Sequence, residues 1–194
     1  MAPVGPLLGR PALDAVASPA RQELLSALGD GPATVAQLAH RLGRSRQALY
    51  YHLALLERAQ LIAVIPPGPG RHERTYRVAA GRLAISARPG SSGDRVAAKR
   101  AVQAMLRLTA RESGTAIDDP ATRLHGPRRH LVALRGKARL TRRERQRVSA
   151  LIDELESLFR SATGRRDGAL YAITVVLTPA REAGSAPLSS TREP

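Results

Sequence analysis

TVAQLAHRLGRSRQALYYHLALLERA, residues Thr34 to Ala59, reads as two short helices joined by the turn Gly43-Arg44-Ser45. Thr34 with Gln37 forms a capping box: the hydroxyl covers free amides of the first turn, and the side chain three residues on reaches back. Val35, Leu38, Ala39 and Leu42 then recur at the i, i+3, i+4, i+7 spacing of one buried helix face. Gly43 ends that helix. Ser45 can accept from the free amides of the next one, and so short a Gly-containing connection suits two helices crossing steeply, a helix-turn-helix.

The second helix separates into two faces. Ala48, Leu49, His52, Leu53, Leu56 and Ala59 fall on one side, and Arg46, Gln47, Tyr50, Tyr51, Ala54 and Arg58 on the other. Arg and Gln can make paired hydrogen bonds to guanine and adenine edges in a major groove, and Tyr can reach a phosphate or a thymine methyl. A merely solvated helix face is the competing reading, and the flanking sequence weighs against it.

Upstream, Leu13 to Ala17 reads as a short helix broken at Ser18-Pro19. Ser18 as N-cap and Pro19 at the first helical position open another helix, Ala20 to Leu28, with Leu24, Leu25 and Leu28 inward. Downstream, the β-branched run Leu61 to Ile65, the Pro/Gly turn 66–70 and Arg71 to Val78 make a hairpin. A hairpin directly after such a helix is a wing. Its tip offers Arg71, His72 and Arg74 to a sugar-phosphate backbone or the adjacent minor groove. No Gly-Lys-Ser/Thr follows the glycines, which excludes a P-loop.

The 194 residues carry 31 Lys and Arg against 16 Asp and Glu, a formal charge of +15, which favours a polyanionic partner. Only two of the cations are Lys, so a GC-rich coding bias contributes to the Arg count. There is no Cys, which removes disulfides, thiolate metal sites and Cys nucleophiles together. No stretch approaches a membrane span and no secretory leader is visible, so the expected location is cytoplasmic, with no membrane partner.

On these residues, Ser18 to Val78 resembles the winged helix-turn-helix of ArsR-type bacterial transcription regulators. The specific part is SRQALYYHLALLERAQLI, where Ser45, Ala48, Leu49, His52, Leu53, Leu56 and Leu61 match the family pattern. The resemblance implies DNA contact from a recognition helix, residues 45–59, with Ser45 at its start and Arg46, Gln47, Tyr50 and Tyr51 outward. Tyr51 stands where many members have Arg, so the base preference does not carry over. Many members sense metals through Cys on the first helix of the motif. Without Cys that mode is not supported here.

The remainder has a plainer order. Residues 1–9 read as a flexible tail, 10–80 as the winged helix-turn-helix, 81–93 as a linker, 94–178 as a dimerisation or regulatory region and 179–194 as a disordered tail. Within the third part, helix 94–113 carries Val96, Ala97, Ala101, Ala104, Met105 and Leu108 as a stripe suited to a dimer interface or to packing within its own chain. Residues 114–127 read as a loop. Residues 131–140 alternate, with Val132, Leu134, Gly136, Ala138 and Leu140 against Arg135, Lys137 and Arg139, the pattern of a strand with one wet side. Thr141 and Glu144 give a second capping box, opening helix 142–163 with Val148, Leu151, Ile152, Leu155, Leu158 and Phe159 as its buried face. Residues 170–178, LYAITVVLT, read as another strand, and the order strand, helix, strand suggests a small unit whose sheet has the option of pairing across a dimer. The fold class is therefore α+β, a winged helix-turn-helix followed by a long helix and a small strand-helix-strand unit.

Other chemistries fare poorly. His125 and His130 are separated by Arg128 and Arg129, which repel a cation, so no metal is expected. Asp153, Glu154 and Glu156 read as a solvated helix face rather than catalytic carboxylates, and no hydrolase or protease signature is present. His52 reads as a packed or hydrogen-bonded core residue. The run 135–147 holds seven basic residues and one acidic, with Arg142 and Arg143 where the helix dipole disfavours cations. Auxiliary DNA contact or an anionic ligand is open to it, though solvated charge is the simpler reading. The expectation is a non-enzymatic, sequence-specific transcription regulator without cofactor, binding double-stranded DNA as a homodimer, with room for a small-molecule effector that no residue set identifies. The alternative is a winged-helix assembly module whose positive charge meets an acidic protein.

Overall fold

The computed structural model describes residues 9–66, 73–79, 92–165 and 167–180. Its elements run α1 (Arg10–Val16), α2 (Pro19–Gly29), β1 (Ala33–Thr34), α3 (Val35–Leu42), α4 (Arg46–Arg58), β2 (Ile62–Ile65), β3 (Thr75–Val78), α5 (Ser92–Asp118) and α6 (Arg142–Ala162). The architecture is a winged helix-turn-helix followed by long helices.

Local chemistry sets the boundaries in the first half. Pro19 opens α2 behind the extended Ser18. The Thr34/Gln37 capping box opens α3, and Gly43 closes it in the left-handed region at φ 60°, ψ 33°, where a side chain would be strained. Ser45 then accepts from the Ala48 amide and starts α4. In this way three residues, Gly43 to Ser45, end one helix and begin the next.

The core joins α1 to α4, the sheet and α5. Leu24, Leu28, Val35, Leu38, Leu49, Leu53 and Leu56 are almost wholly buried, with Leu13 and Val16 of α1 beside them. Burial of each such Leu is worth about 2 kcal/mol, so this cluster is the main stabilising term. The hairpin β2–β3 is antiparallel with Ile62 opposite Val78 and Ile65 opposite Thr75. β1 pairs the other side of β3, Ala33 opposite Tyr76, so β3 is central. The wing is thus tied to the residues that start α3.

α5 lies against α1 and α2 of its own chain, with Ala97 and Ala101 in the shared core, where their small side chains allow close approach. Buried Gln22 fastens this contact, its amide donating to the carbonyl oxygens of Val16 and Ala101. Val96, expected in the stripe, is exposed, while Met105 and Leu108 are half-buried. The helix also extends through residues 114–118, which read from the sequence as a loop; Gly114, a residue that can end a helix, is carried inside α5 instead.

The strands expected at 131–140 and 170–178 are not strands in this chain. The described residues hold one sheet, β1-β3-β2, and both segments lie outside it. Alternation dictates which side of a segment can be wet, but a ladder needs a second strand about 4.8 Å away, and none is supplied. α6 departs from expectation too. Its Thr141/Glu144 capping box forms as read. Its apolar face is open: Leu151 and Leu158 are exposed, Val148, Ile152, Leu155 and Phe159 only half-buried, and the buried residue is Glu156, paired with Arg160. Asp153, expected on a solvated side, has a buried Oδ1 without a hydrogen-bond partner.

Candidate nucleic-acid interface

α4 presents one continuous outward face. Arg46, Gln47, Tyr50, Tyr51, Ala54 and Arg58 are all exposed, Tyr51 by 66%, while Leu49, Leu53 and Leu56 anchor the opposite side at essentially zero exposure. The anchoring stripe repeats every three or four residues, so the outward set is fixed by the same periodicity. Ala48, expected inward, is exposed and adds a small side chain to this face. Glu57 is exposed as well, so the cationic and amide groups, Arg46 and Gln47, concentrate at the N-terminal end. That end is the one a recognition helix directs at base edges.

The turn ahead of α4 is held from inside. Arg44, immediately before the capping Ser45, sends its guanidinium back to Glu23 of α2 at 2.7 Å. Glu23 also pairs with Arg111 of α5. One carboxylate therefore ties the turn before α4 to the long helix after the wing. Sequence reading missed this link, because the partners lie 21 and 88 positions apart and carry no local signature. Glu112, beside Arg111, is pushed up from the ordinary carboxylate range by burial, an effect partly offset by the Arg111 charge.

His52 is packed as expected, half-buried with its ring edge-on to Tyr51 at 5.4 Å. The hydrogen bond is not there: Nδ1 is buried and has no partner. Burial first, then the charges of Arg21 and Arg44, hold its pKa below the ordinary histidine value. The neutral ring is therefore favoured, which suits an apolar spacer beneath the outward face.

At the wing, Arg74 is exposed just before β3. Arg71 and His72, expected beside it at the tip, lie outside the described residues. Glu73, exposed at the wing root, accepts from the Ala36 amide at 3.1 Å. A carboxylate at the free amides of α3 complements the helix dipole and fixes the wing root against the helix-turn-helix. Tyr76 is buried behind it, and burial pushes its hydroxyl pKa up, partly offset by Arg74.

Elsewhere, His130 accepts the Arg123 amide through Nδ1 and so acts as a loop fastening. Among the described residues no group of three or more His, Asp or Glu is arranged to hold a metal. No helix is long and apolar enough to cross a membrane, again among the described residues.

These elements define a winged helix-turn-helix domain with an exposed second helix. Residues 16–65 match a family model described as a helix-turn-helix domain. No curated protein matches the chain. Among solved structures, the chain is similar to reduced HlyU from Vibrio cholerae N16961, at 23% identity and TM-score 0.32, over 50% of this chain and 82% of that one. It is also similar to a double mutant of ZitR from Lactococcus lactis, at 15% identity and TM-score 0.30, over 72% of this chain and 74% of that one. The apo form of that mutant aligns at 16% identity and TM-score 0.30, over 72% and 82%.

Proposed function

We propose that the protein is a sequence-specific transcription regulator that binds duplex DNA as a homodimer. The observation that carries this reading is the outward face of α4, where Arg46, Gln47, Tyr50 and Tyr51 stand together on a helix anchored behind by three buried leucines. The match of residues 16–65 to a helix-turn-helix family model supports it. So does the ArsR-type pattern of SRQALYYHLALLERAQLI, which directs the same side chains at DNA.

In this reading residues 10–80 are the reading unit and 94–178 the dimerisation region. The N-terminal end of α4 enters the major groove, with Ser45 at its entrance, Arg46 and Gln47 at base edges, and Tyr50 and Tyr51 reaching phosphate or a thymine methyl. Arg74 runs along the backbone beside it, with Arg71 and His72 of the wing tip. Two such units in a homodimer read half-sites about 10 base pairs apart, or a multiple of that. The excess of positive charge draws the protein to DNA and steepens the salt dependence of binding. The protein acts in the cytoplasm and carries no cofactor for this work.

Selection of binding sites from random duplexes with the purified protein tests the proposal. A recurrent motif bound more weakly by Arg46→Ala or Gln47→Ala is the expected result. Equal affinity for every duplex, unmoved by changes at Arg46 and Tyr51, overturns sequence-specific reading. Absence of duplex binding at moderate salt, with an acidic protein bound instead, overturns DNA binding altogether.

A further inference from the structure

Residues 131–178 have the sequence of a strand-helix-strand unit, and among the described residues its strands do not form. Residues 131–140, LVALRGKARL, and 170–178, LYAITVVLT, flank α6, and neither belongs to a ladder. Apart from Arg139 and Ile173, no residue of the two segments makes a main-chain hydrogen bond to another described residue. Their apolar side chains face outward: Val132 is 68% exposed, Leu134 94% and Leu170 80%. On α6 between them, Leu158 is 63% exposed. Strand-patterned segments that lie outside any ladder are templates for another chain, and exposed apolar side chains of this kind mark a contact.

We propose that a second copy of this chain completes the unit, with residues 131–140 of each protomer forming a ladder against residues 170–178 of the other. The two segments are matched partners. They are ten and nine residues long, so each can pair along the whole of the other. Segment 131–140 carries Arg135, Lys137 and Arg139, whereas 170–178 carries no charge. Pairing 131–140 with its own twin would set cations opposite cations, which destabilises a ladder, and the neutral segment avoids that. A foreign strand would cover one segment and leave the other open. A two-fold exchange covers both segments in both copies at once and closes the assembly.

The acceptor edge is also presented. The Thr174 hydroxyl hydrogen-bonds that of Thr109 on α5 at 2.6 Å, which fastens 170–178 to the body of its own chain. α5 in turn is packed on α1 and α2, so it is engaged within its protomer. The inference deepens the homodimer of the proposed function by naming its interface. Its test uses no DNA, so it stands or falls apart from DNA recognition.

Sedimentation of the full chain without DNA is expected to give about twice the 20.8 kDa chain mass at micromolar concentration. Because the chain has no Cys, engineered thiols report contacts cleanly. Leu134→Cys protein is refolded together with Ala172→Cys, Val175→Cys or Val176→Cys protein and then oxidised. At least one pairing is expected to give a cross-linked heterodimer. Leu134→Asp with Leu170→Asp is expected to weaken dimerisation about a hundredfold or more, since each interface would bury unpaired carboxylates. The double variant should keep its helical circular dichroism and its thermal transition, because both positions are exposed within the chain. A monomeric wild type overturns the proposal. So does a dimer that survives Leu134→Asp with Leu170→Asp, or a disulfide that forms within one monomeric chain carrying Leu134→Cys and Val175→Cys.

Discussion

The guanidinium of Arg44 lies 2.7 Å from the carboxylate of Glu23, a side chain only 11% exposed. Arg44 immediately precedes the residue that caps α4, and the same carboxylate holds Arg111 of α5. Glu23→Gln should lower stability by about 1–2 kcal/mol, the scale of a lost charge-assisted hydrogen bond whose arginine partners can rehydrate. A double-mutant cycle of Glu23→Gln with Arg44→Ala by urea unfolding measures the coupling. Additive losses would show that the pair does not hold the turn.

Gly43 stands at φ 60°, and a Cβ there would meet nothing within 4 Å. The cost of Gly43→Ala is therefore conformational, about 1–2 kcal/mol. Gly43→Asn should recover part of it, because Asn tolerates the left-handed region. Equal melting temperatures for Gly43→Ala and wild type would contradict this account.

His52 has a pKa lowered in the folded state by burial, with Arg21 and Arg44 adding to it. The unfolded chain then binds the proton more readily, so stability is fully present above pH 6.5 and falls as pH drops from there through the folded value. Urea midpoints measured across that window should decline for wild type. The decline should flatten in His52→Leu, where nothing titrates at the site.

Thr141 caps α6 and Glu144 completes the box. Thr141→Ala should cost this helix about 1 kcal/mol and appear as lost helical circular dichroism. Hydrogen bonds from the backbone and hydroxyl of Thr141 lower the Glu144 pKa. The box therefore holds above the ordinary carboxylate value and opens as pH falls through the lowered one. Glu144→Gln should abolish that acid-range change in helicity.

For the DNA complex, Arg46→Ala or Gln47→Ala should cost about 1–3 kcal/mol at the selected site, for whichever side chain makes a paired base contact. Arg74→Ala should instead weaken all duplexes similarly and flatten the salt slope by about one unit. Fluorescence anisotropy on selected and scrambled duplexes at several salt concentrations separates the two behaviours. Identical effects of Arg46→Ala and Arg74→Ala on sequence preference would dissolve the assignment of base reading to α4.

The first half of the chain was legible because its signals are local. Thr34, Gln37, Gly43 and Ser45 set boundaries within one or two turns, and the leucine spacing of α4 fixes both its buried and its exposed face. The reading failed where a partner was needed. The stripe of α6 and the alternation of 131–140 record which side chains are apolar, yet Leu134, Leu151 and Leu158 stay exposed. His52 was assigned to the interior correctly, but the loss of its Nδ1 partner depends on neighbours distant in sequence.

The sequence by itself determined the helix-turn-helix, because capping and periodicity act over three or four residues and require no other part of the chain. Only the tertiary structure decided that Glu23 joins the turn before α4 to α5, that Glu73 fastens the wing root to α3, and that the strand-patterned segments find no ladder at home. Those outcomes depend on distances between residues far apart in the chain, which folding sets and local propensity does not contain.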